Sequence, residues 1–327
     1  YFIIKIFDEK FQYVASSLNK KIKNLIETKY SKLENGYQYL RSPKHNLDFK
    51  KGNLQNLIKN FERIINDKVL LPEVVSGYES AYGSGAPGVW AHKWSVCSNS
   101  SEGVSIPVTD GITSLLCTNG YSRFGERQGD HDATIGVIAH ELGHALPGLP
   151  DLYSTTSAND GIGKHGLMSG GSWGYKTGEY SGASPVQMIA WSKIKAGYLS
   201  ATEKSSSETG ISLYSNLTNN FNPIKISVST DEYYLLENRE ISATAYFSEG
   251  GILITHVLNN QSNQNTTLSK RVDVEEAEGT DLDTSGGNSG DSNDYWRSGN
   301  GTSFSENSKT VNNFSSAGST MTLDISL

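Results

Sequence analysis

The run His-Glu-Leu-Gly-His at residues 140–144 constrains this chain more than any other feature of its sequence. Histidines four positions apart lie on one face of an α-helix, so the imidazoles of His140 and His144 can reach the same metal ion. Glu141 points near that ion without having to bind it, and its carboxylate can take a proton from a zinc-bound water, whose pKa zinc lowers toward about 7. The pattern therefore predicts two metal ligands and a general base, against the alternative of a helix with two metal-free histidines.

The residues around this run predict one helix over residues 132–146 that ends soon after the second histidine. Asp130 or Asp132 can serve as its N-cap. Pro147 cannot continue a helix, and Gly148 permits the chain to reverse. The apolar side of the helix consists of Ile135, Ile138, Leu142, Ala145 and Leu146. We therefore expect the chain to turn back directly after this helix.

A catalytic zinc site needs a third protein ligand and an open position for water. Asp151 lies on the returning loop, seven residues after His144. In the thermolysin arrangement the third ligand is instead a Glu on a second helix well downstream. Glu179 is the first Glu after Glu141, but it lies in a Gly-rich stretch that is not typical of a helix. The sequence thus favours Asp151.

A methionine follows in the segment Gly-Leu-Met-Ser-Gly-Gly-Ser-Trp at residues 166–173, 24 residues after the second histidine. In metzincins a tight turn that carries Met forms an apolar floor beneath the metal site. Met168 is one of only three methionines in the chain. Core packing is the alternative for a single Met, but beside the predicted zinc helix we expect Met168 to form this floor.

Length and composition limit the class of protein. The 327 residues correspond to about two domains. A hydrophobic fraction of 36% is too high for a disordered chain, and no run approaches the roughly 18–20 apolar residues that span a bilayer. The formal net charge of −7 argues against a general nucleic-acid binder. We expect a soluble globular protein without a membrane span or a nucleic-acid partner.

The sequence changes character near residue 200. Short β-rich runs separated by Asn, Ser and Gly clusters predict antiparallel β structure there. These runs are Ile224–Val228, Tyr233–Leu236, Ile252–Val257 and Met321–Ile325. We predict a catalytic domain over residues 1–203, whose first 70 residues are hard to interpret, and a β-rich domain over residues 204–327.

Several segments together resemble the immune inhibitor A family of secreted bacterial metalloproteases. They are GYESAY (77–82), VWAHKW (89–94), the HELGH helix, GLPDLY (148–153), GIGKHGLMSGGSW (161–173), SPVQMIAWSKIKAGYL (184–199), YYLLENRE (233–240) and GGILITHV (250–257). The resemblance implies an α+β fold, in which a metzincin-like zinc protease catalytic domain with a mixed twisted sheet and an active-site helix precedes a β-rich, sandwich-like C-terminal domain. It also implies one zinc ion, protein or peptide substrates outside the cell, and a precursor with a signal and a propeptide. We expect the protein to be a monomer.

The chain departs from the family pattern in two places. The family typically places the second histidine, the glycine and the third ligand as H-x-x-G-x-x-D, whereas this chain has one more residue through Pro147. The loop must absorb that residue for Asp151 to reach the metal. His165 stands where the family usually has an aromatic residue or Asn. A surface or supporting role is the favoured interpretation of His165, and a role as substitute third ligand is the alternative.

The two cysteines of the chain are Cys97 and Cys117. In an exported protein, two cysteines this close most simply form a disulfide, which contributes about 3 kcal/mol in the loop-entropy model. Ligation of a metal by cysteine and a pair of reduced core thiols are the alternatives, and the lack of a Cys-x-x-Cys spacing argues against the first.

Residues 272–296 contain eight acidic residues and no Lys or Arg. The stretches 281–283 and 290–294 combine hard oxygen ligands with Gly for tight turns, as calcium loops do, and the family is known for structural calcium. Asp291 and Asp294 are therefore candidate calcium ligands. The alternative is a solvated acidic loop.

The sequence thus predicts a secreted zinc endopeptidase in which His140, His144 and Asp151 bind zinc and Glu141 deprotonates the bound water. The alternative from another class is a non-catalytic adhesin or binding module with a structural zinc site, which the Asn- and Ser-rich β segment after residue 200 suggests. The intact Glu141 argues against it, because a structural site has no use for a base. A thermolysin-type hydrolase is disfavoured by the helix break at Pro147.

Overall fold

The computed structural model of the chain describes residues 70–83, 88–94, 105–107, 113–115, 120–241, 246–266, 269–279 and 281–327. The segment 1–69, which the sequence left without an interpretation, lies outside this range. Cys97 and Cys117 also lie outside the described residues, so their disulfide stays a prediction.

A mixed five-stranded sheet precedes the predicted zinc helix. Up to that helix the strands are β1 (Leu70–Glu79), β2 (Gly88–Val89), β3 (His92–Trp94), β4 (Ser105–Pro107), β5 (Thr113–Leu115), β6 (Gly120–Gln128) and β7 (His131–Asp132). The order in the sheet is β2-β1-β6-β3, and β7 also pairs with β6. β1 is parallel to β2 and β6, whereas β3 is antiparallel to β6. β4 and β5 form a separate antiparallel pair.

The helix α1 (Ile135–Ala145), which carries His140 and His144, packs against this sheet. Val137 of α1 forms a small core with Ala91 and Phe124. The helix is shorter than the predicted 132–146, because residues 131–132 pair with β6 as β7. Its N-cap is Thr134, so the expectation that Asp130 or Asp132 caps it is wrong. The second helix is α2 (Ala190–Lys195), and 3₁₀ turns lie at Gly163–His165, Gly170–Trp173, Asp281–Asp283 and Ser292–Asp294.

Two further sheets form the β-rich part of the chain. Their strands are β8 (Thr202–Lys204), β9 (Glu208–Tyr214), β10 (Ile224–Ser227), β11 (Glu232–Arg239), β12 (Gly251–Leu258), β13 (Val272–Glu275), β14 (Ser303–Glu306), β15 (Lys309–Asn312) and β16 (Thr320–Ser326). One sheet has the order β13-β12-β11-β10-β8, and the other has the order β14-β15-β16-β9. The four β-rich runs found in the sequence are confirmed as β10, β11, β12 and β16.

The sheet β13-β12-β11-β10-β8 is buried on both faces. Side chains that alternate along a strand point to opposite faces, so neighbouring apolar residues join different cores. Tyr234 and Leu236 contribute to the core shared with the four-stranded sheet. Leu235 and Leu253 contribute to a second core, which includes Met168 and other apolar residues between 149 and 191. The β-rich part therefore packs directly against the segment that follows α1.

Mixed sheets with few helices, followed by a β-rich remainder, agree with the α+β class that the sequence predicts. The predicted domain boundary between residues 203 and 204 falls inside β8, and it stays a prediction. Within the described part of the chain, every helix is too short or too polar to cross a bilayer.

Candidate metal centre

Three side chains from α1 and the loop after it converge on one point. The Nε2 atoms of His140 and His144 are 3.0 Å apart, and Oδ1 of Asp151 lies 3.1 Å from the first and 3.0 Å from the second. α1 provides both histidines from consecutive turns. The structure thus brings together the three residues that the sequence singles out as metal ligands.

The other ring nitrogen of each histidine is held by the backbone. Nδ1 of His140 donates to the carbonyl of Leu167 at 2.9 Å, and Nδ1 of His144 donates to the carbonyl of Leu149 at 2.6 Å. Because a carbonyl oxygen only accepts, each Nδ1 carries the proton and each neutral imidazole presents a lone pair at Nε2. Two such lone pairs and a carboxylate oxygen, all within 3.1 Å, repel one another unless a cation lies between them. This donor set therefore fits a divalent metal ion.

Asp151 has the charge that a metal ligand requires. Burial raises the pKa of its carboxyl, but the adjacent imidazoles of His140 and His144 outweigh this effect and hold the pKa well below its usual range. Its side chain is 33% exposed, whereas the side chains of His140 and His144 are 10% and 16% exposed. The group is therefore open to solvent on the Asp151 side, as a catalytic site must be.

The loop absorbs the extra residue before it reaches Asp151. The amide of Leu149 donates to the carbonyl of Gly143 at 3.1 Å, and the amide of Leu152 donates to the carbonyl of Met168 at 2.8 Å. Between α1 and Leu149 the chain turns outward, with Leu146 51% exposed. Gly148 there has a φ of +70°, which favours glycine. Asp151 is thus fixed from both sides, and Gly148 of the intervening turn lines a pocket together with His144 and Asp151.

Met168 lies directly against the helix segment that carries both histidines. Its side chain is only 1% exposed. A Cβ atom added to Gly143, which precedes His144, would lie 2.5 Å from the Met168 sulfur. The thioether therefore occupies the space that the missing side chain of Gly143 leaves beneath the metal-binding turn.

Glu141 lines a cleft of about 380 Å³ together with His140 and Tyr153. Its side chain is largely buried. Burial raises the pKa of Glu141, and the neighbouring His140 and His144 oppose that rise without cancelling it. A carboxylate with a raised pKa accepts and returns a proton near neutral pH more readily than an ordinary one.

Tyr153 forms part of the wall of this cleft. Its ring centroid lies 6.3 Å from that of His140, and its hydroxyl interacts with the carboxylate of Asp151. Burial and the charge of Asp151 raise the pKa of Tyr153 to about 12. The phenol therefore stays protonated at neutral pH and serves as a hydrogen-bond donor at the edge of the site.

The alternative third ligand, His165, is not part of this group. Its ring is fully buried, and its Nε2 donates to Oδ2 of Asp294 at 2.7 Å. Its Nδ1 accepts from the hydroxyl of Tyr295 at 3.0 Å. Both ring nitrogens of His165 are therefore bound to residues of the β-rich part, and the expectation that His165 could be the third ligand is wrong. The residue that reaches the two histidines of α1 is Asp151.

The predicted calcium ligands Asp291 and Asp294 belong to the 3₁₀ turn at Ser292–Asp294. Oδ1 of Asp291 accepts from the amide of Asn293 at 2.6 Å. Oδ2 of Asp294 accepts from the amide of Asp291 at 2.7 Å in addition to the bond from His165. These bonds give both carboxylates partners within the protein, and the calcium site stays a prediction.

A second group of side chains that could hold a metal, His256, Glu275 and Glu306, lies among the described residues of the β-rich part. Nε2 of His256 is 2.9 Å from Oε1 of Glu232, and its Nδ1 is 3.5 Å from Oε1 of Glu275. Burial lowers the pKa of His256, but hydrogen bonds to Glu275 and Glu232 outweigh burial and raise it above its ordinary value. The imidazole of His256 thus has carboxylate partners on both ring nitrogens.

Two buried charged residues near the site, Glu237 and Arg239, were not predicted from the sequence to have a role of their own. Arg239 and Glu237 are 2% and 1% exposed. Arg239 donates to the carbonyls of His165 and Met188 at 3.1 Å each, and the amide of Ala190 donates to Glu237 at 2.7 Å. The sequence does contain a signal for them. A strand with apolar residues on both faces is buried, so charged residues within it must be buried as well and must pair with each other or with other polar groups.

Residues 64–199 match the family model of the immune inhibitor A peptidase M6 catalytic domain. The matched segment contains α1, the loop of Asp151 and Met168. No curated protein and no solved structure matches the chain.

Proposed function

We propose that this chain, whose residues 64–199 match the catalytic domain of immune inhibitor A peptidases M6, is a zinc-dependent endopeptidase acting on extracellular proteins. The observation that carries the proposal is the convergence of two Nε2 lone pairs and one carboxylate oxygen within 3.1 Å, beside a buried glutamate. Imidazole nitrogens with one carboxylate form a donor set that zinc prefers.

His140, His144 and Asp151 would hold the zinc. When bound there, zinc supplies Lewis acidity, which acidifies a water and polarises the carbonyl of the scissile bond. The carbonyls of Leu167 and Leu149 orient the two imidazoles, because each accepts the Nδ1–H proton and leaves the Nε2 lone pair facing the centre.

Glu141 is proposed as the general base. It follows His140 on α1 and lines the same cleft, so a water in front of the histidines lies within its reach. Its Oε atoms take a proton from that water and then give it to the nitrogen of the leaving amine. The raised pKa of Glu141 favours the first transfer, since a stronger base takes the proton from water more readily.

The substrate side of the proposal rests on the open cleft. The cleft extends past Trp90, Tyr153 and Trp173 and is reached from solvent, so a chain of amino acids can lie across it. A structural zinc site is closed by four protein ligands, and the three-ligand group here argues against the adhesin alternative. The extracellular location rests on the family resemblance of the sequence.

The test combines metal analysis with proteolysis of casein. We expect about one zinc per chain and loss of cleavage on chelation. The Glu141→Gln variant should retain zinc and lose at least about 10³-fold in kcat/KM, because removal of the base leaves the ligands in place. Zinc retention without any cleavage by the wild type would overturn the endopeptidase proposal in favour of a structural site.

The matched control is Glu179→Gln. Glu179 is exposed, and its carboxylate accepts from the amide of Lys176 at 2.9 Å, outside the metal group. This variant should keep both zinc and activity. A loss of zinc in Glu179→Gln would support the thermolysin arrangement and contradict the ligand set proposed here.

A further inference from the structure

Residues 165–168, here called the support segment, present three backbone carbonyls to three different parts of the molecule. The carbonyl of Leu167 accepts from Nδ1 of His140 at 2.9 Å. The carbonyl of Met168 accepts from the amide of Leu152, next to Asp151, at 2.8 Å. The support segment therefore sets the orientation of one proposed ligand and the position of the loop that carries another.

The third carbonyl faces the β-rich part. Nη2 of Arg239, at the end of β11, donates to the carbonyl of His165 at 3.1 Å. The same guanidinium donates to the carbonyls of Gln187 and Met188 at 3.3 Å and 3.1 Å. One buried cation thus joins the support segment to the chain that leads into α2.

The charge of Arg239 is balanced within the same buried region. Oε2 of Glu237 lies 3.4 Å from Nη1 of Arg239, and Oε1 of Glu237 accepts from the amide of Ala190 at 2.7 Å. Removal of a buried charge partner is costly, since the remaining charge is left without compensation. Each of the two charges therefore compensates the other within this buried region.

The side chain of His165, whose carbonyl accepts from Arg239, is also held by buried contacts. Nε2 of His165 donates to Asp294 at 2.7 Å, and Tyr295 donates to Nδ1 of His165 at 3.0 Å. The ring of Phe247 stacks on His165 with a centroid distance of 5.0 Å. Four residues from the β-rich part thus fix both the backbone and the side chain at the start of the support segment.

We propose that Arg239 is a positioning residue for the metal centre, which acts through the support segment on His140 and on the loop of Asp151. The inference rests on the proposed function, and it adds that the β-rich part sets the affinity of the centre for zinc. Arg239 touches neither the metal group nor the cleft. Its influence passes through the backbone between His165 and Met168.

The test measures zinc affinity by competition with a chromophoric chelator in the full chain. Arg239→Gln and Arg239→Lys should both weaken zinc binding by about tenfold, as is common when an outer partner of a metal ligand is lost. Arg239→Lys keeps the charge opposite Glu237 but has a single nitrogen in place of Nη1 and Nη2, so it cannot reproduce the bonds that these two atoms make to separate carbonyls. It therefore remains informative if Arg239→Gln fails to fold.

The matched control is Val311→Ala, which removes a fully buried side chain from the core between the two sheets of the β-rich part. It should lower the thermal stability of the metal-free chain at least as much as Arg239→Lys does, but leave zinc affinity within twofold of wild type. Equal loss of zinc affinity in Val311→Ala would overturn the proposal, since the effect would then follow from stability alone.

Cobalt substitution gives a readout of ligand geometry. The visible spectrum of the Co²⁺ form should change in Arg239→Lys and stay like the wild type in Val311→Ala. Wild-type zinc affinity and an unchanged cobalt spectrum in a folded Arg239→Lys protein would refute the positioning role. Failure of the wild type itself to bind zinc would instead refute the proposed function, so the two failures are distinguishable.

Discussion

The hydroxyl of Tyr153, in the wall of the cleft, forms a hydrogen bond with the carboxylate of Asp151, one of the proposed zinc ligands. Tyr153→Phe removes this donor and keeps the ring beside His140. We expect zinc affinity to fall by about tenfold, because Asp151 loses a hydrogen bond that orients its carboxylate. Competition with a chelator measures the effect, and Tyr175→Phe serves as the control because its ring packs against Tyr246. Unchanged affinity in Tyr153→Phe would contradict the role.

His256 gives the β-rich part a pH-dependent contribution to stability. Its pKa in the folded state is raised by Glu275 and Glu232 against the lowering effect of burial. A raised histidine pKa stabilises the fold below the unfolded value of about 6.5, and this contribution is lost as the pH rises through the folded pKa. The urea midpoint of His256→Gln should therefore fall well below that of wild type at pH 5.5 and approach it at pH 8.5. A difference that does not change with pH would contradict this.

Single residues also show where sequence reasoning stops. The triad His140, His144 and Asp151 could be predicted because helix periodicity and a helix break are local properties. The hydrogen-bond partner of His165 could not be predicted, because Asp294 lies 129 residues away along the chain. A histidine in a Gly-rich segment does not reveal whether its neighbour is a metal or a carboxylate from another sheet.

At the scale of elements, α1 begins against a loop rather than in solvent. The amide of Gly136 donates to the carbonyl of Gly182 at 2.9 Å, and a Cβ atom at Gly136 would lie 1.8 Å from the carbonyl oxygen of Ser172. Gly136→Ala should therefore destabilise the protein by about 2–3 kcal/mol, although Ala favours a helix by about 1 kcal/mol.

Thermal or urea unfolding measures the effect of Gly136→Ala, with Gly83→Ala as the control. A Cβ atom at Gly83 meets nothing within 4 Å, so that substitution should change stability by less than about 0.5 kcal/mol. Stabilisation by Gly136→Ala would show that helix propensity outweighs the clash and that the start of α1 is loosely packed.

The same contacts explain why the start of α1 was predicted three residues too early. Thr134 occupies the cap position, but its hydroxyl donates to the carbonyl of Ser181 at 2.8 Å. Gly182 then accepts the first-turn amide of Gly136. A backbone carbonyl from a distant loop, that of Gly182, thus accepts a first-turn amide in place of the side-chain cap that Asp130 or Asp132 would have provided. The strands β10, β11, β12 and β16 were predictable because their β-rich runs lie between clear turn residues.

At the scale of the whole molecule, the family match ends at residue 199, whereas the hydrophobic core that packs behind the metal-binding segment continues into later residues. Leu152, Met168 and Ile189 share one buried cluster with Leu235 and Leu253. A chain shortened to end at residue 199 would expose this apolar surface and lose Arg239. We expect it to lack a cooperative thermal transition and to bind zinc at least tenfold more weakly than the full chain.

Circular dichroism and chelator competition on the shortened chain test this prediction, with the full chain as the reference. A shortened chain that unfolds cooperatively and binds zinc as the full chain does would contradict it. That outcome would show that residues up to 199 complete the metal centre unaided and that the β-rich part serves some other purpose.

The two backbone bonds that flank Asp151 bear on how the extra residue at Pro147 is interpreted. Leu149 is bonded to Gly143 and Leu152 to Met168, so the carboxylate is positioned by contacts on both sides of it rather than by the count of residues after the second histidine. A pattern that demands one rigid spacing between histidine and aspartate would miss this chain, whereas a pattern that allows one more residue there would find it.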